Sequence, residues 1–261
     1  MEDLKVFDTK DLVSLQLGST SKGNQEKWVE PNSGLWIKEQ FYYQGKFWKD
    51  YLVEALASTI AEQMDLFGVP VLKQSICEIR SGSKQTIGVY SQDFCKDANY
   101  ISFNRILENS RGEVDFQMSA EERWNYLISV IMSYFDVDYT EYLTVMTLID
   151  IIVGNEDRHL SNFGIMENGK LAPIFDFGLG LFEHDRCYEG VPFNRCLGMM
   201  HFKPLSPDVQ VATDFIKDRV KVERYFPKGL DLTEVELPSA KAGSYLRNRF
   251  SALGISLKGV V

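Results

Sequence analysis

The stretch GNEDRHLSNFGIMENGKLAPIFDFGLGLF, from Gly154 to Phe182, sets Asp157, Asn162 and Asp176 around a strong turn signal. Phosphoryl transfer is the chemistry such a set serves. It needs one carboxylate to orient the attacking hydroxyl, and oxygen ligands that hold magnesium against nucleotide phosphates. Asp157 and Asn162 stand five positions apart, the D-x-x-x-x-N spacing of a phosphoryl-transfer catalytic loop, and Asp176-Phe177-Gly178 has the form of a metal-binding DFG. Either signal alone is weak; in this order, with a hairpin between them, they are specific. The competing reading makes Asp157 and Asn162 turn residues that bond nearby backbone, and Asp176 a turn residue after a strand. His159 joins Asp157 as a catalytic candidate, although a hydrogen-bond hub that orders the loop is the commoner use of such a histidine. Arg158 reads as a partner for a carboxylate such as Asp150.

These residues need a scaffold, and periodicity supplies one. Leu12 to Leu17 and Leu35 to Phe41 read as strands, with the Gly/Ser/Thr/Asn loop GSTSKGN, residues 18 to 24, after the first. Between Trp48 and Met64, Leu52, Leu56, Ile60 and Met64 recur every four residues, which predicts an amphipathic helix stopped by Gly68-Val69-Pro70. Gln74 to Ile79 and Thr86 to Ser91 read as strands joined at Ser81-Gly82-Ser83. The first ninety residues thus read β, β, α, β, β. Beyond Cys95 the pattern turns helical: Ser119 with Glu122 forms a capping box opening a helix to about Tyr134, and a second helix runs from about Tyr139 to Val153. Phe163 to Met166 and Leu171 to Phe175 read as a hairpin across Asn168-Gly169, and helices near Val209 to Val222 and Ala240 to Leu253 close the chain.

Composition excludes several classes. At 261 residues, with 44% hydrophobic, 25% charged and 13% aromatic residues, the chain is globular rather than disordered, collagenous or coiled-coil. Its net charge of −9 lacks the positive field that sequence-independent nucleic-acid binding requires, so no nucleic-acid partner is expected. The longest apolar run, Leu143 to Gly154, carries Asp150 and falls far short of the roughly 20 residues of a membrane span. Cys77, Cys95, Cys187 and Cys196 form no CxxC pair and read as free thiols, and MEDLKVFDTKD carries no secretory signal, so a cytoplasmic protein is the expectation.

With these motifs assembled, NEDRHLSNFG followed by PIFDFG resembles the HipA-like serine/threonine kinase family, and within it the compact CtkA-type proinflammatory kinases. The same D-R-H-x-x-N and D-F-G order also resembles phosphatidylinositol kinases. Val53 to Val71 and Tyr90 to Leu107 fit the HipA-like pattern as well, so the resemblance covers about residues 12 to 182. It implies that Asp157 is the catalytic base, that Asn162 and Asp176 hold magnesium, and that Glu54, at the rim of its helix's apolar stripe, anchors Lys38. Lys38, in the strand WIKEQ, is placed to give the α- and β-phosphates a fixed cation, the alternative being a solvated strand lysine. The loop 18 to 24 stands where a phosphate-covering loop belongs, so that Ser19 and Thr20 offer backbone N–H groups; a plain hairpin turn is the other reading. HipA-like kinases autophosphorylate in this loop, which makes Ser19, Thr20 or Ser21 a candidate site. Gln92 to Cys95, with Gln92 and Phe94 beside adenine, is the expected hinge. The chain departs from HipA proper in starting almost at the first strand, and residues 183 to 204, with Arg186, Arg195, His201 and Lys203, match no substrate-docking motif.

The expectation is an α+β, two-lobed protein-kinase-like fold, with a β-rich lobe over residues 1–94 and a helical lobe over 95–261, closed on ATP and Mg2+. The reaction is transfer of the γ-phosphate to Ser or Thr hydroxyls of a protein, itself included. Lipid or small-molecule phosphorylation is one rival and a non-catalytic nucleotide-binding module another.

Overall fold

The structure is a computed structural model that describes residues 4–15, 25–110, 118–183, 186–200, 205 and 208–260. The loop 18–24, with Ser19, Thr20 and Ser21, lies outside the described residues, as do His201 and Lys203.

Short alternating segments build the amino-terminal lobe. Strands β1 (Lys5–Asp8), β2 (Val13–Ser14), β3 (Lys27–Val29) and β4 (Leu35–Glu39) precede a small hairpin of β5 (Tyr42–Tyr43) and β6 (Lys46–Phe47). Helix α1 (Asp50–Gln63) follows, then β7 (Ser75–Ser81) and β8 (Lys84–Gln92). Six strands form one sheet in the order β1-β7-β8-β4-β3-β2, antiparallel throughout except for the parallel β1/β7 pair. In β4 the period of two sends Leu35 and Ile37 to an apolar cluster with Phe7, Trp28, Cys77 and Ile79, and turns Trp36 and Lys38 to the opposite face. Gly88 of β8 holds that strand tightly against β4. A Cβ there would stand 2.2 Å from the Lys38 carbonyl oxygen, so only glycine permits this approach.

The carboxy-terminal lobe is helical. Strand β9 (Tyr100–Ser102) leads into α2 (Phe103–Ser110), α3 (Ala120–Phe135) and α4 (Thr140–Val153); β10 (Gly164–Met166), α5 (Phe193–Leu197) and α6 (Val209–Arg219) follow. Strand β11 (Leu230–Asp231), α7 (Ala240–Leu253) and β12 (Leu257–Lys258) end the fold. The predicted capping box of α3 is present, with Ser119 Oγ accepting from Glu122 N and the Glu122 carboxylate accepting from Ser119 N. Helix α4 is apolar on nearly every side, and every residue from Tyr142 to Val153 is buried, as an all-round hydrophobic helix must be. Around it lie Trp124, Leu127, Phe163, Tyr245 and Phe250, and also Val53, Leu56 and Ile60 of α1. Among the described residues no helix is long and apolar enough to cross a membrane, and all four cysteines are free thiols.

Several sequence expectations change. β1 went unread, and so did β3, the β5/β6 hairpin and α2, all of them short. The strand expected over Leu12 to Leu17 is only Val13–Ser14 within the described residues, and α6 stops at Arg219 rather than Val222. Leu171 to Phe175 is no strand. The Asn168-Gly169 turn closes, with Met166 N bonded to Lys170 O, but only Leu171 bridges back to Ile165 and β10 pairs instead with β9. Pro173 lacks the N–H a ladder needs, and the chain crosses to residues 70–72, where Ile174 N bonds Pro70 O and Leu72 N bonds Ile174 O, both at 2.9 Å. That crossing delivers Asp176 to the underside of the sheet.

Candidate active site

A cleft of about 280 Å³ lies between the sheet and the helical lobe. Trp36, Leu72, Val89, Phe94, Tyr100 and Phe175 give it apolar walls, and Lys27, Lys38, Glu54 and Asp176 line its polar part. An apolar pocket with a few convergent polar groups is the form of a small-molecule site. Phe94, Tyr100 and Phe175 form an aromatic cluster at one end, with ring centroids 5.3 to 5.9 Å apart. Gln92, at the end of β8 opposite Leu35, lines the same side, and Cys95 N bonds Asp93 Oδ1 at 2.8 Å.

The polar end is built from three elements. Lys38 Nζ on β4 donates to Glu54 Oε1 of α1 at 2.9 Å and to Asp176 Oδ1 at 3.0 Å. Glu54 is fully buried and accepts two further bonds on Oε2, from Gln74 Nε2 at 2.7 Å and from Phe177 N at 2.9 Å. A buried carboxylate survives only with this degree of pairing. Burial disfavours the Lys38 cation, but the Asp176 and Glu54 charges outweigh it and hold the lysine protonated well above its ordinary range. Burial likewise disfavours the Asp176 anion, and Lys38 outweighs it, holding that carboxyl well below the usual carboxylate range. Asp176 sits in the left-handed region at φ +63, the conformation that turns its side chain back toward Lys38 and Asn162.

The loop that carries Asp157 and Asn162 leaves α4 through Gly154 in the left-handed conformation. Its shape comes from local bonds: His159 N to Asp157 O at 2.7 Å, Asn162 N to His159 O at 2.9 Å, and Asn162 Nδ2 to Asp157 O at 3.2 Å. Asn162 Nδ2 also donates to Asp176 Oδ2 at 3.0 Å, so the amide and the DFG carboxylate are adjacent. Under the loop, Arg158 is fully buried; Nε and Nη2 grip the Asp150 carboxylate at 2.9 Å each, and Nη1 donates to Asn162 O at 2.9 Å and to Phe175 O. Asn155 Nδ2 ties Asp150 Oδ1 to the Asp176 carbonyl at 2.9 and 3.3 Å. One buried arginine therefore sets the spacing between the loop and DFG.

The sequence candidates thus fall into two groups. Lys38, Glu54, Asn162 and Asp176 meet at one point, with Asp157 on the same loop, its side chain 39% exposed. Gln92 and Phe94 line the cleft beside the aromatic cluster. His159 is 45% exposed; Nδ1 accepts from Ser161 N at 3.2 Å, and Nε2 lies 4.0 Å from Asp157 Oδ2, too far for a hydrogen bond. That geometry serves the loop's shape. Sequence reasoning missed Lys27, whose three-residue strand gives too little alternation to read, and Gln74 and Asn155, polar residues whose partners are distant in sequence or a helix end. In residues 183 to 204, Arg186 N donates to Gln44 Oε1, Lys46 pairs with Glu189, and Tyr188 Oη donates to the Glu156 carboxylate at 2.7 and 2.8 Å; Arg195 lies in α5.

Asn162 and Asp176 lie side by side and each carries a hard oxygen, the donor type magnesium takes, with the Asn162 Nδ2 rather than its Oδ1 turned to the carboxylate here. Among the described residues no group of three or more His, Cys, Asp and Glu side chains gathers into a metal cage.

The family model for phosphatidylinositol 3- and 4-kinases matches residues 73–218, more than half of the chain. No curated protein matches. Among solved structures, the crystal structure of a Helicobacter pylori proinflammatory kinase, CtkA, superposes with a TM-score of 0.57 at 15% identity, covering 95% of each chain. At that identity the likeness is one of fold, and the two-lobed α+β architecture is shared.

Proposed function

The chain belongs to the phosphatidylinositol 3- and 4-kinase family, and on that premise we propose that it transfers the γ-phosphate of ATP to the hydroxyl of a protein serine or threonine. The kinase-like fold and the family match make it a phosphotransferase; the acceptor is the part proposed. The observation that carries the reading is the convergence of Lys38, Glu54, Asn162 and Asp176, because a lysine–carboxylate pair and a DFG aspartate must be in place together for phosphoryl transfer. The apolar end of the cleft and the hinge at Gln92 and Phe94 receive adenine, and Lys38 faces the α- and β-phosphates. Asp157 orients the acceptor hydroxyl and takes its proton as the oxygen bonds to the γ-phosphorus and the bridge to the β-phosphate breaks, releasing ADP. His159 holds the shape of the loop that carries Asp157. Asn162 and Asp176 would hold a magnesium ion, whose charge would offset that of the β- and γ-phosphates.

The further likeness of residues Val53 to Val71 and Tyr90 to Leu107 to the HipA-like pattern supports a protein acceptor, whereas the catalytic-loop and DFG motifs suit either, and the family model supports a second acceptor, the hydroxyl of an inositol lipid. Labelled phosphate from ATP, offered with generic protein, phosphoinositide vesicles and small alcohols, separates them; mass spectrometry of the protein itself reports autophosphorylation. Label in lipid alone would overturn the protein reading, and ATP turnover absent under every condition would overturn the catalytic one.

Asp176→Ala should lower affinity for ATP in magnesium about tenfold or more, the scale on which metal sites respond to loss of a supporting group. Calorimetric titration with and without magnesium checks this, and wild-type affinity that ignores the ion would remove Asn162 and Asp176 as its ligands.

A further inference from the structure

Lys27 on β3 stands directly across the antiparallel ladder from Lys38 on β4. Side chains paired in this way leave the same face of the sheet with Cβ atoms about 4.5–5.5 Å apart, and like charges so placed repel. Their neighbours in the ladder, Trp28 and Ile37, point the other way into the apolar cluster, so the register commits both lysines to the cleft, and both line it. Their situations there differ. Lys38 is bonded to two carboxylates, whereas the Lys27 ammonium has no hydrogen-bond or ion-pair partner among the described residues.

Charge counting sharpens the contrast. Lys38 between the Glu54 and Asp176 carboxylates leaves the polar end with negative charge in excess, which disfavours a polyphosphate. Asp50 also faces this region, its Oδ1 accepting from Phe41 N at 2.7 Å and its Oδ2 from Gln25 Nε2 at 2.9 Å; burial pushes its carboxyl up to about 7, so it adds to that excess as it ionises. Lys27 is the positive charge that offsets these carboxylates, and a magnesium ion on Asn162 and Asp176 would offset them further. Burial, followed by the Lys38 charge, pulls Lys27 below the ordinary lysine range, with Asp176 and Glu54 offsetting only part of this. An uncompensated cation held next to another on a short strand is unfavourable by itself; an anion arriving between the two removes the repulsion.

We propose that Lys27 binds the phosphates of the nucleotide, forming with Lys38 a two-lysine clamp specific for a nucleoside di- or triphosphate. The proposal rests on the phosphotransferase reading of the cleft and adds the residue whose positive charge offsets the carboxylates gathered there. Lys38 is fixed by its carboxylates and serves position; Lys27 is uncommitted and serves attraction.

Lys27→Met and Lys27→Arg, titrated calorimetrically with ATP, ADP and adenosine in magnesium, test it. Methionine cannot make the charge-assisted hydrogen bond of the ammonium to phosphate, so ATP and ADP should bind about tenfold or more weakly. Adenosine affinity should stay within about twofold, and the arginine variant should recover most of the deficit. Lys27→Gln carries the same test should the methionine variant not fold. Unchanged ATP affinity in a folded Lys27→Met protein would overturn the clamp, and so would an equal weakening of adenosine, which would mark Lys27 as a strand-packing residue. Wild-type protein that binds no ATP would overturn the nucleotide reading itself, a result distinct from either.

Discussion

Asp157→Asn is expected to lower turnover by at least about a hundredfold, the lower scale for loss of a positioned base, while thermal stability and ATP affinity stay near wild type. The separation follows from how the loop is built. The bonds that shape it use the backbone of Asp157, whose carbonyl accepts from His159 N at 2.7 Å and from Asn162 Nδ2 at 3.2 Å and whose N–H donates to Asn155 Oδ1 at 3.2 Å. Asparagine keeps all three and nearly the same volume, but it cannot take a proton at this position. Asp157 is also absent from the walls of the cleft that would hold the nucleotide. ADP production and ATP binding measured on one preparation give the comparison. Turnover within a fewfold of wild type would remove Asp157 from the mechanism, and parallel losses of turnover and Tm would make it a structural residue.

Arg158→Met is the substitution expected to cost most stability, about 3–5 kcal/mol, because it strands the buried Asp150 carboxylate without its partner. More than the ion pair is lost. The guanidinium also donates to the carbonyls of Asn162 and Phe175 and lies 4.8 Å from the centre of the Phe177 ring, so its removal takes the donor from one buried and one part-buried acceptor and loosens the DFG segment. Adding Asp150→Leu should return part of the stability, since an apolar pair tolerates this interior better than one unpaired charge does. Activity should not return with it, because the restraints on Asn162 and Phe175 are gone. Urea denaturation of the single and double variants measures their stabilities, and ADP production measures their activity. A single variant within about 1 kcal/mol of wild type, below the range for a broken buried pair, would contradict the account, as would a double variant less stable than the single.

The chemistry was legible because its residues are close in sequence. Asp157, Asn162 and the DFG span one short segment, and the helix carrying Asp150 is apolar enough to be read as buried. The helices at Ala120–Phe135 and Ala240–Leu253 follow from periodicity and serine caps, and that at Thr140–Val153 from its long apolar run ending at Gly154. Lys38 and Glu54 were named as a pair on resemblance, and they meet at 2.9 Å. What stayed hidden depends on tertiary pairing. Strand β1 is four residues long and exists through its parallel register with β7; Lys27 gains its meaning only from the residue across the ladder; Glu54 reaches Phe177 N over 123 positions. Leu171 to Phe175 misled for the opposite reason. Its composition suits a strand, but Pro173 and the bridge from Ile174 to Val71 take it elsewhere.

Helix α1 follows the first strands of the β-rich lobe in chain order, yet its apolar face lies in the core of the helical lobe, beside α4, while the sheet keeps a separate cluster of its own. Glu54 adds a polar anchor on the same side, through Phe177 N. The same helix is bonded to the sheet side, its Asp50 accepting from Phe41 N and Gln25 Nε2 and its Ser58 Oγ from Gln74 N. Helix α1 is thus a strut shared by the two lobes, and the one Glu54 carboxylate holds Lys38 from the sheet and Phe177 N from below. A tilt of this helix would displace both together, so the position of the lysine and that of the DFG segment are a single adjustment.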